Sequence, residues 1–110
     1  MVHPDFQPFL PALQALCRRF GVQEMYLFGS AVTPRFDATR SDADVLVRLL
    51  PLAPLAEGET LLRLWDELEV LLRRRVDLLT ADALHNPFLS AEINRTKQLI
   101  YDAARTEIPV

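Results

Sequence analysis

The feature that most limits the fold is a set of short apolar runs set off by glycine, proline or polar residues. Glu24-Met25-Tyr26-Leu27-Phe28 stops at Gly29, Ala43 to Leu50 stops at Pro51, and Val76 to Leu79 ends before Thr80. Runs of this length, rich in Val, Leu and aromatic residues, read as buried strands rather than helices. Lys97 to Tyr101 reads as a last strand. Helical periods fill the gaps. From about Pro8 to Phe20, the residues Phe9, Ala12, Leu13, Leu16 and Phe20 share one face. Arg18 and Arg19 occupy the last turn there and Gly21 is the stop. Glu59 to Arg74 is the longest predicted helix, with Leu61, Leu64, Trp65, Leu68, Leu71 and Leu72 in one stripe, so Trp65 is expected in the core. Arg73, Arg74 and Arg75 close it at the negative end of the helix dipole. Pro51 to Gly58 reads as a loop, Thr80 is placed to cap a short helix through Leu84, and Pro87 to about Arg95 reads as helical. The order α-β-β-α-β-α-β predicts an α+β (α/β) fold, a small sheet covered by helices on at least one face. The first two strands are joined only by the polar segment Ser30 to Ser41, so the sheet is expected to be mixed.

Composition narrows what such a fold does. A chain of 110 residues is expected to form a single domain, residues 1–110. Half of it is hydrophobic and a quarter charged, which excludes wholesale disorder. The expected radius of gyration is about 13 Å. Twelve Lys+Arg against fifteen Asp+Glu leave a net charge of −3, so direct nucleic-acid binding is not expected. One cysteine, Cys17, excludes an intrachain disulfide and a cysteine-built zinc site. No apolar run reaches the roughly 18 residues of a membrane span, and Met1 to Gln7 lacks the pattern of a secretory leader. The expectation is a small cytoplasmic domain.

Three features carry chemistry. Gly29-Ser30 follows the first strand directly, Asp42 and Asp44 open the second, and Asp77 sits inside the third. A strand alternates its side chains, so Asp42 and Asp44 share a face. Two carboxylates that close repel unless a cation lies between them, and oxygen pairs of this kind suit Mg²⁺, which completes its shell with water and phosphate oxygens. Asp77, between Val76 and Leu78, is costly in an apolar strand unless paired, hydrogen-bonded or metal-linked. If its strand neighbours the second one, it joins the same site as base or further ligand. Gly29 permits a sharp turn whose backbone approaches a ligand, and Ser30 offers a hydroxyl and an N–H to a phosphate. Taken singly, each feature has a plainer reading: a turn opening a strand, a turn ending one, and an aspartate paired with a nearby arginine. The joint pattern points to phosphate chemistry.

These residues resemble a known family. Leu27-Phe28-Gly29-Ser30, then Ser41-Asp42-Ala43-Asp44-Val45-Leu46-Val47, then Val76-Asp77-Leu78-Leu79 look like the minimal nucleotidyltransferases (MNT) of the DNA polymerase β superfamily. The tail from Asn86-Pro87-Phe88-Leu89 through Leu99-Ile100-Tyr101 is similar to the end of that family, and the likeness covers about Val22 to Asp102. The resemblance implies a small mixed sheet backed by helices and transfer of a nucleoside monophosphate from an NTP with loss of pyrophosphate. It implies Mg²⁺, with ATP as co-substrate. It also implies an antitoxin whose partner is a HEPN-domain ribonuclease toxin, neutralised by AMP added to a tyrosine as in type VII-like toxin–antitoxin systems. Carried over by position, Gly29 and Ser30 hold the NTP phosphates, Asp42 and Asp44 bind the metal, and Asp77 is the third carboxylate and general base. This chain departs from the pattern at Ala31, where Arg is frequent, and at Pro34-Arg35, where Arg-Gly is frequent; Arg35 or Arg40 would have to replace that phosphate contact. Alternatives are an antitoxin that acts by binding alone and a small-molecule nucleotidyltransferase subunit.

The remaining candidates read as structural. His3 and His85 are isolated and suit surface or capping roles, Cys17 and Tyr26 suit the core, and nothing demands that Tyr101 face a partner. The apolar stretch Leu49-Leu50-Pro51-Leu52-Ala53-Pro54-Leu55 fits either an exposed partner surface or burial under the long helix.

Overall fold

The computed structural model describes residues 2–32, 42–81 and 85–105. After a short 3-10 turn (Pro4–Phe9) come α1 (Leu10–Phe20), β1 (Val22–Phe28), a second 3-10 turn (Gly29–Val32), β2 (Ala43–Leu49), α2 (Pro54–Leu72), β3 (Val76–Thr80), α3 (Pro87–Thr96) and β4 (Gln98–Asp102). This is the predicted α-β-β-α-β-α-β order. The strands form one sheet in the order β3-β2-β1-β4. β1 pairs antiparallel with both β2 and β4, while β2 and β3 run parallel, so the sheet is mixed as expected.

Burial follows strand alternation. Met25 and Leu27 of β1, Ala43, Val45 and Val47 of β2, and Ile100 of β4 face α1 and α2 in the main core. α1 contributes Leu10, Leu13, Leu16 and Cys17, and α2 contributes Leu64, Leu68 and Leu72. A smaller cluster lies on the opposite face, where Ile93 of α3 packs on Phe28 and Leu46, flanked by Tyr26 and Leu79. The sheet is therefore sandwiched, with its thinner cover on the α3 side. Each fully buried leucine contributes about 1.5–3 kcal/mol of apolar burial. The radius of gyration, 13.2 Å, matches the expectation for the chain length. Among the described residues no helix is long and apolar enough to cross a membrane.

Local chemistry sets the helix ends. Gly21 ends α1 in the left-handed region at φ 67° and donates its N–H to the Arg18 and Cys17 carbonyls. Asn86 caps α3, its Oδ1 accepting from the N–H groups of Phe88 (2.9 Å) and Leu89 (3.2 Å). His3 caps the first 3-10 turn by accepting from the Asp5 N–H.

Several expectations need correction. The long helix begins at Pro54, not Glu59, because proline's fixed φ suits the first helical position and Gly58 is carried inside the helix. Arg73, Arg74 and Arg75 follow the last helical residue, Leu72; Arg73 adopts a left-handed cap at φ 54°, and the Arg74 Nε–H donates to the Leu72 carbonyl at 3.2 Å, so a cation does close the helix at its negative end. Trp65 is 37 % exposed rather than buried, since its indole reaches the edge of β3. Tyr26 is half-buried, with its hydroxyl donating to Glu24 Oε2 at 2.6 Å. The Leu49–Leu55 stretch resolves in favour of exposure: Leu50, Leu52 and Leu55 all face outward. The short helix expected through Leu84 lies mostly outside the described residues, and Thr80 is the last residue of β3.

The two faces of α2 should respond differently to truncation. Leu68→Ala, at a fully buried position, should cost about 2–5 kcal/mol in urea denaturation. Leu62→Ala, on the exposed face, should change stability by no more than about 0.5 kcal/mol.

Candidate active site

Three strand ends meet at one end of the sheet. β1 ends there at Phe28, and β2 and β3 begin there at Ala43 and Val76. The registers align Phe28 with Asp44 and Asp44 with Asp77, so a single row crosses three strands. The condition set by the sequence is met: the third strand neighbours the second, and Asp77 is brought beside Asp44. The Ala43 N–H donates to the Arg75 carbonyl at 3.0 Å and fixes this register at its start. Asp44 is two residues from Leu46 and so lies on the face covered by α3.

The carboxylates are coupled. Asp44 is half-buried, and its pKa is pushed up to about 6. Burial is the largest cause, followed by the charge of Asp77, a hydrogen bond with Asp77, and the charge of Asp42. Asp77 itself is exposed, because β3 is an edge strand and α3 leaves this end of the sheet open. The burial cost anticipated for an acid in an apolar strand therefore falls on Asp44 instead. Among the described residues no three Asp, Glu, His or Cys side chains converge as a ready metal cage. The half-buried Asp44, beside a second carboxylate, keeps its proton to higher pH than a free aspartate does.

Gly29 packs against the same acid. It adopts φ 64°, and a Cβ placed there would collide with Oδ2 of Asp44. The sequence suggested close approach of a ligand; the structure shows that the first close neighbour is a carboxylate. Ser30 follows Gly29 in the 3-10 turn Gly29–Val32, and α3 touches that turn. Arg35 and Arg40, the candidate substitutes for a phosphate-binding arginine, lie outside the described residues.

Two supporting residues escaped the sequence reading. The Trp65 Nε1–H donates to the Val76 carbonyl at 2.7 Å, and Glu69 Oε2 accepts from the Val76 N–H at 2.9 Å. Both groups face away from β2, so α2 holds the exposed edge of β3 one residue before Asp77. The signal was the i, i+4 spacing of Trp65 and Glu69, which puts both on the face of α2 that meets β3.

The family comparison decides the identity. The profile of the nucleotidyltransferase domain family matches residues 12–101. The chain belongs to the nucleotidyltransferase domain family. The match spans α1 through β4 and includes Gly29, Ser30, Asp42, Asp44 and Asp77. No curated protein matches the sequence. Solved structures agree with the nucleotidyltransferase fold. A putative minimal nucleotidyltransferase superposes with TM-score 0.70 at 29% identity, over 88% of this chain and 94% of the other. An MNT antitoxin complex with a tri-AMPylated HEPN toxin from Shewanella oneidensis gives TM-score 0.60 at 22% identity, over 89% of this chain and 73% of the other. A toxin–antitoxin structure with AMP-PNP gives 0.62 at 23% identity, over 84% and 73%.

Two outcomes follow for this nucleotidyltransferase domain. Gly29→Ala should lose about 1–3 kcal/mol, because it adds a positive-φ penalty to a clash with Asp44, whereas Gly58→Ala, open and helical, should be neutral or stabilising by about 0.5–1 kcal/mol. The raised pKa of Asp44 also has a defined sign. A carboxylate pushed from 3.8 to about 6 on folding costs nothing below pH 3.8, costs increasingly between pH 3.8 and about 6, and costs a constant amount above that. Asp44→Asn should therefore gain stability over wild type as pH goes from 4 to 7.5, by on the order of 1–2 kcal/mol after solvent screening, in parallel denaturation curves without divalent cation.

Proposed function

We propose that this nucleotidyltransferase domain transfers AMP from ATP to a tyrosine hydroxyl of a HEPN ribonuclease toxin and thereby acts as its antitoxin. The observation that carries the reading is the position of Asp44, held between the Gly29 turn and Asp77 with Asp42 close by. The likeness to MNT antitoxins in complexes with HEPN toxins, one of them AMPylated, supports the choice of partner.

The donor set suits Mg²⁺. That ion is held by one or two carboxylates plus water and substrate phosphates, so a cage of three protein ligands is not required. Asp42 and Asp44 would hold it, and the raised pKa of Asp44 marks where a cation's charge would relieve the repulsion. When bound, Mg²⁺ supplies charge neutralisation for the triphosphate and for departing pyrophosphate. The Gly29-Ser30 turn gives the phosphates close access to backbone. Asp77, exposed at the sheet edge, accepts the tyrosine proton as the tyrosine oxygen bonds to the α-phosphorus and the bond to pyrophosphate breaks. An exposed base on an edge strand suits an acceptor delivered on a protein surface.

The test is intact mass of a HEPN partner after incubation with this protein, ATP and Mg²⁺. One or more increments of AMP are expected, and none with Asp42→Asn/Asp44→Asn, while the two proteins still associate. Association and toxin neutralisation without any increment, in wild type and variant alike, would replace the catalytic reading with an antitoxin that acts by contact.

A further inference from the structure

The row of residues at the catalytic end extends beyond the carboxylates. β4 pairs with β1 through Leu27↔Gln98, and Lys97 is the residue immediately before β4, at the end of the sheet where β1 closes at Phe28. Phe28 is opposite Asp44, and Asp44 is opposite Asp77. The paired row at this end is Phe28, Asp44, Asp77, and Lys97 lies just past the end of the β1–β4 pairing. β4 is two strand spacings from β2, about 10 Å between backbones. The Gly29 turn leaves the sheet between them.

The side chain is on the catalytic face. The Lys97 Nζ lies 4.4 Å from the centroid of the Tyr26 ring, and Tyr26 belongs to the cluster on the α3 side of the sheet, where Asp44 also points. The Tyr26 phenol is pushed up to about 12 by burial and by Glu24, so the ring beneath the ammonium carries no charge. Other cations near by are engaged: Arg95 pairs with Glu92 and Arg48 with Glu24. Lys97 forms no ion pair among the described residues. Its backbone is fixed, since it caps α3 with its N–H on the Ile93 carbonyl at 2.8 Å. A flexible four-carbon stem on a fixed backbone, resting on an aromatic face, leaves a point charge able to swing toward the Gly29 turn.

We propose that Lys97 binds the β- and γ-phosphates of the nucleotide, on the side of the Gly29 turn opposite the carboxylates. The proposal rests on the nucleotidyltransferase reading above. It divides the site by charge. Asp42, Asp44 and Asp77 form the anionic half, which holds the metal and receives the proton. Lys97 forms the cationic half, where the pyrophosphate leaves. The residue reaches the site only through the β1–β4 pairing, far along the chain from every motif residue.

The experiment is calorimetric titration of ATP, AMP and pyrophosphate, each with Mg²⁺, into wild type, Lys97→Met and Lys97→Arg, with melting temperatures recorded for each. Lys97→Met keeps the apolar stem and removes the charge. The expected result is about tenfold weaker binding of ATP and pyrophosphate to Lys97→Met, unchanged AMP binding, near-wild-type behaviour of Lys97→Arg, and unchanged melting. Equal ATP affinity in wild type and Lys97→Met would overturn the assignment while leaving the nucleotidyltransferase reading intact. Parallel loss of ATP and AMP binding, or a lowered melting temperature in Lys97→Met, would overturn it in favour of a structural role for the ammonium on the Tyr26 ring. No ATP binding by the wild type would remove the reading and the assignment together.

Discussion

The arrangement of this domain turns on the meeting of Asp44 and Asp77 across the parallel β2–β3 pairing. Two carboxylates placed side by side, one of them half-buried, are unfavourable in a fold without a cation. The surrounding structure holds them together regardless. The Ala43 N–H and Arg75 carbonyl lock the start of the register, and Trp65 and Glu69 pin the outer edge of Val76. The main core beneath, with Val45, Leu64, Leu68 and Val76, supplies the burial that offsets the cost.

That constraint explains the asymmetry of the sheet. The face toward α1 and α2 is closed and apolar and serves as a platform. The opposite face carries the acids and is covered only by α3, which packs Ile93 on Phe28 and Leu46 and leaves the strand ends accessible. An edge position for β3 leaves Asp77 open to solvent. Gly29 belongs to the same constraint: its missing side chain is the space that Asp44 Oδ2 fills, and its positive φ turns the chain away from the sheet.

Much of this was legible in the chain itself. Apolar runs of strand length and stripes of helical period were enough to place the seven regular elements in order, with boundaries shifted by a few residues. The larger error, at Pro54, came from treating a proline as punctuation when its fixed backbone also suits a helix start. Trp65 was misplaced for a different reason. Its position in the stripe is correct, but a long residue at the border of a helix face reaches past the core, and its indole N–H finds a strand carbonyl there. The exposure of Leu50, Leu52 and Leu55 was undecidable from pattern, because hydrophobicity does not state which surface is left over once the core is full.

The sequence by itself determined what depends on near neighbours along the chain. Strand alternation puts Asp42 and Asp44 on one face, and Gly29 supplies a turn that other residues resist. The family also follows from the order of those motifs. Only the tertiary structure decided which strands lie side by side and in what register. Those choices place Asp77 opposite Asp44, shift the burial cost from the first to the second, and bring the start of β4, with Lys97 just before it, to the same end of the sheet. The physical reason is that side-chain alternation is a local property of the backbone. Strand order and register are set by burying distant apolar residues against one another, and this burial has no signature at any single position.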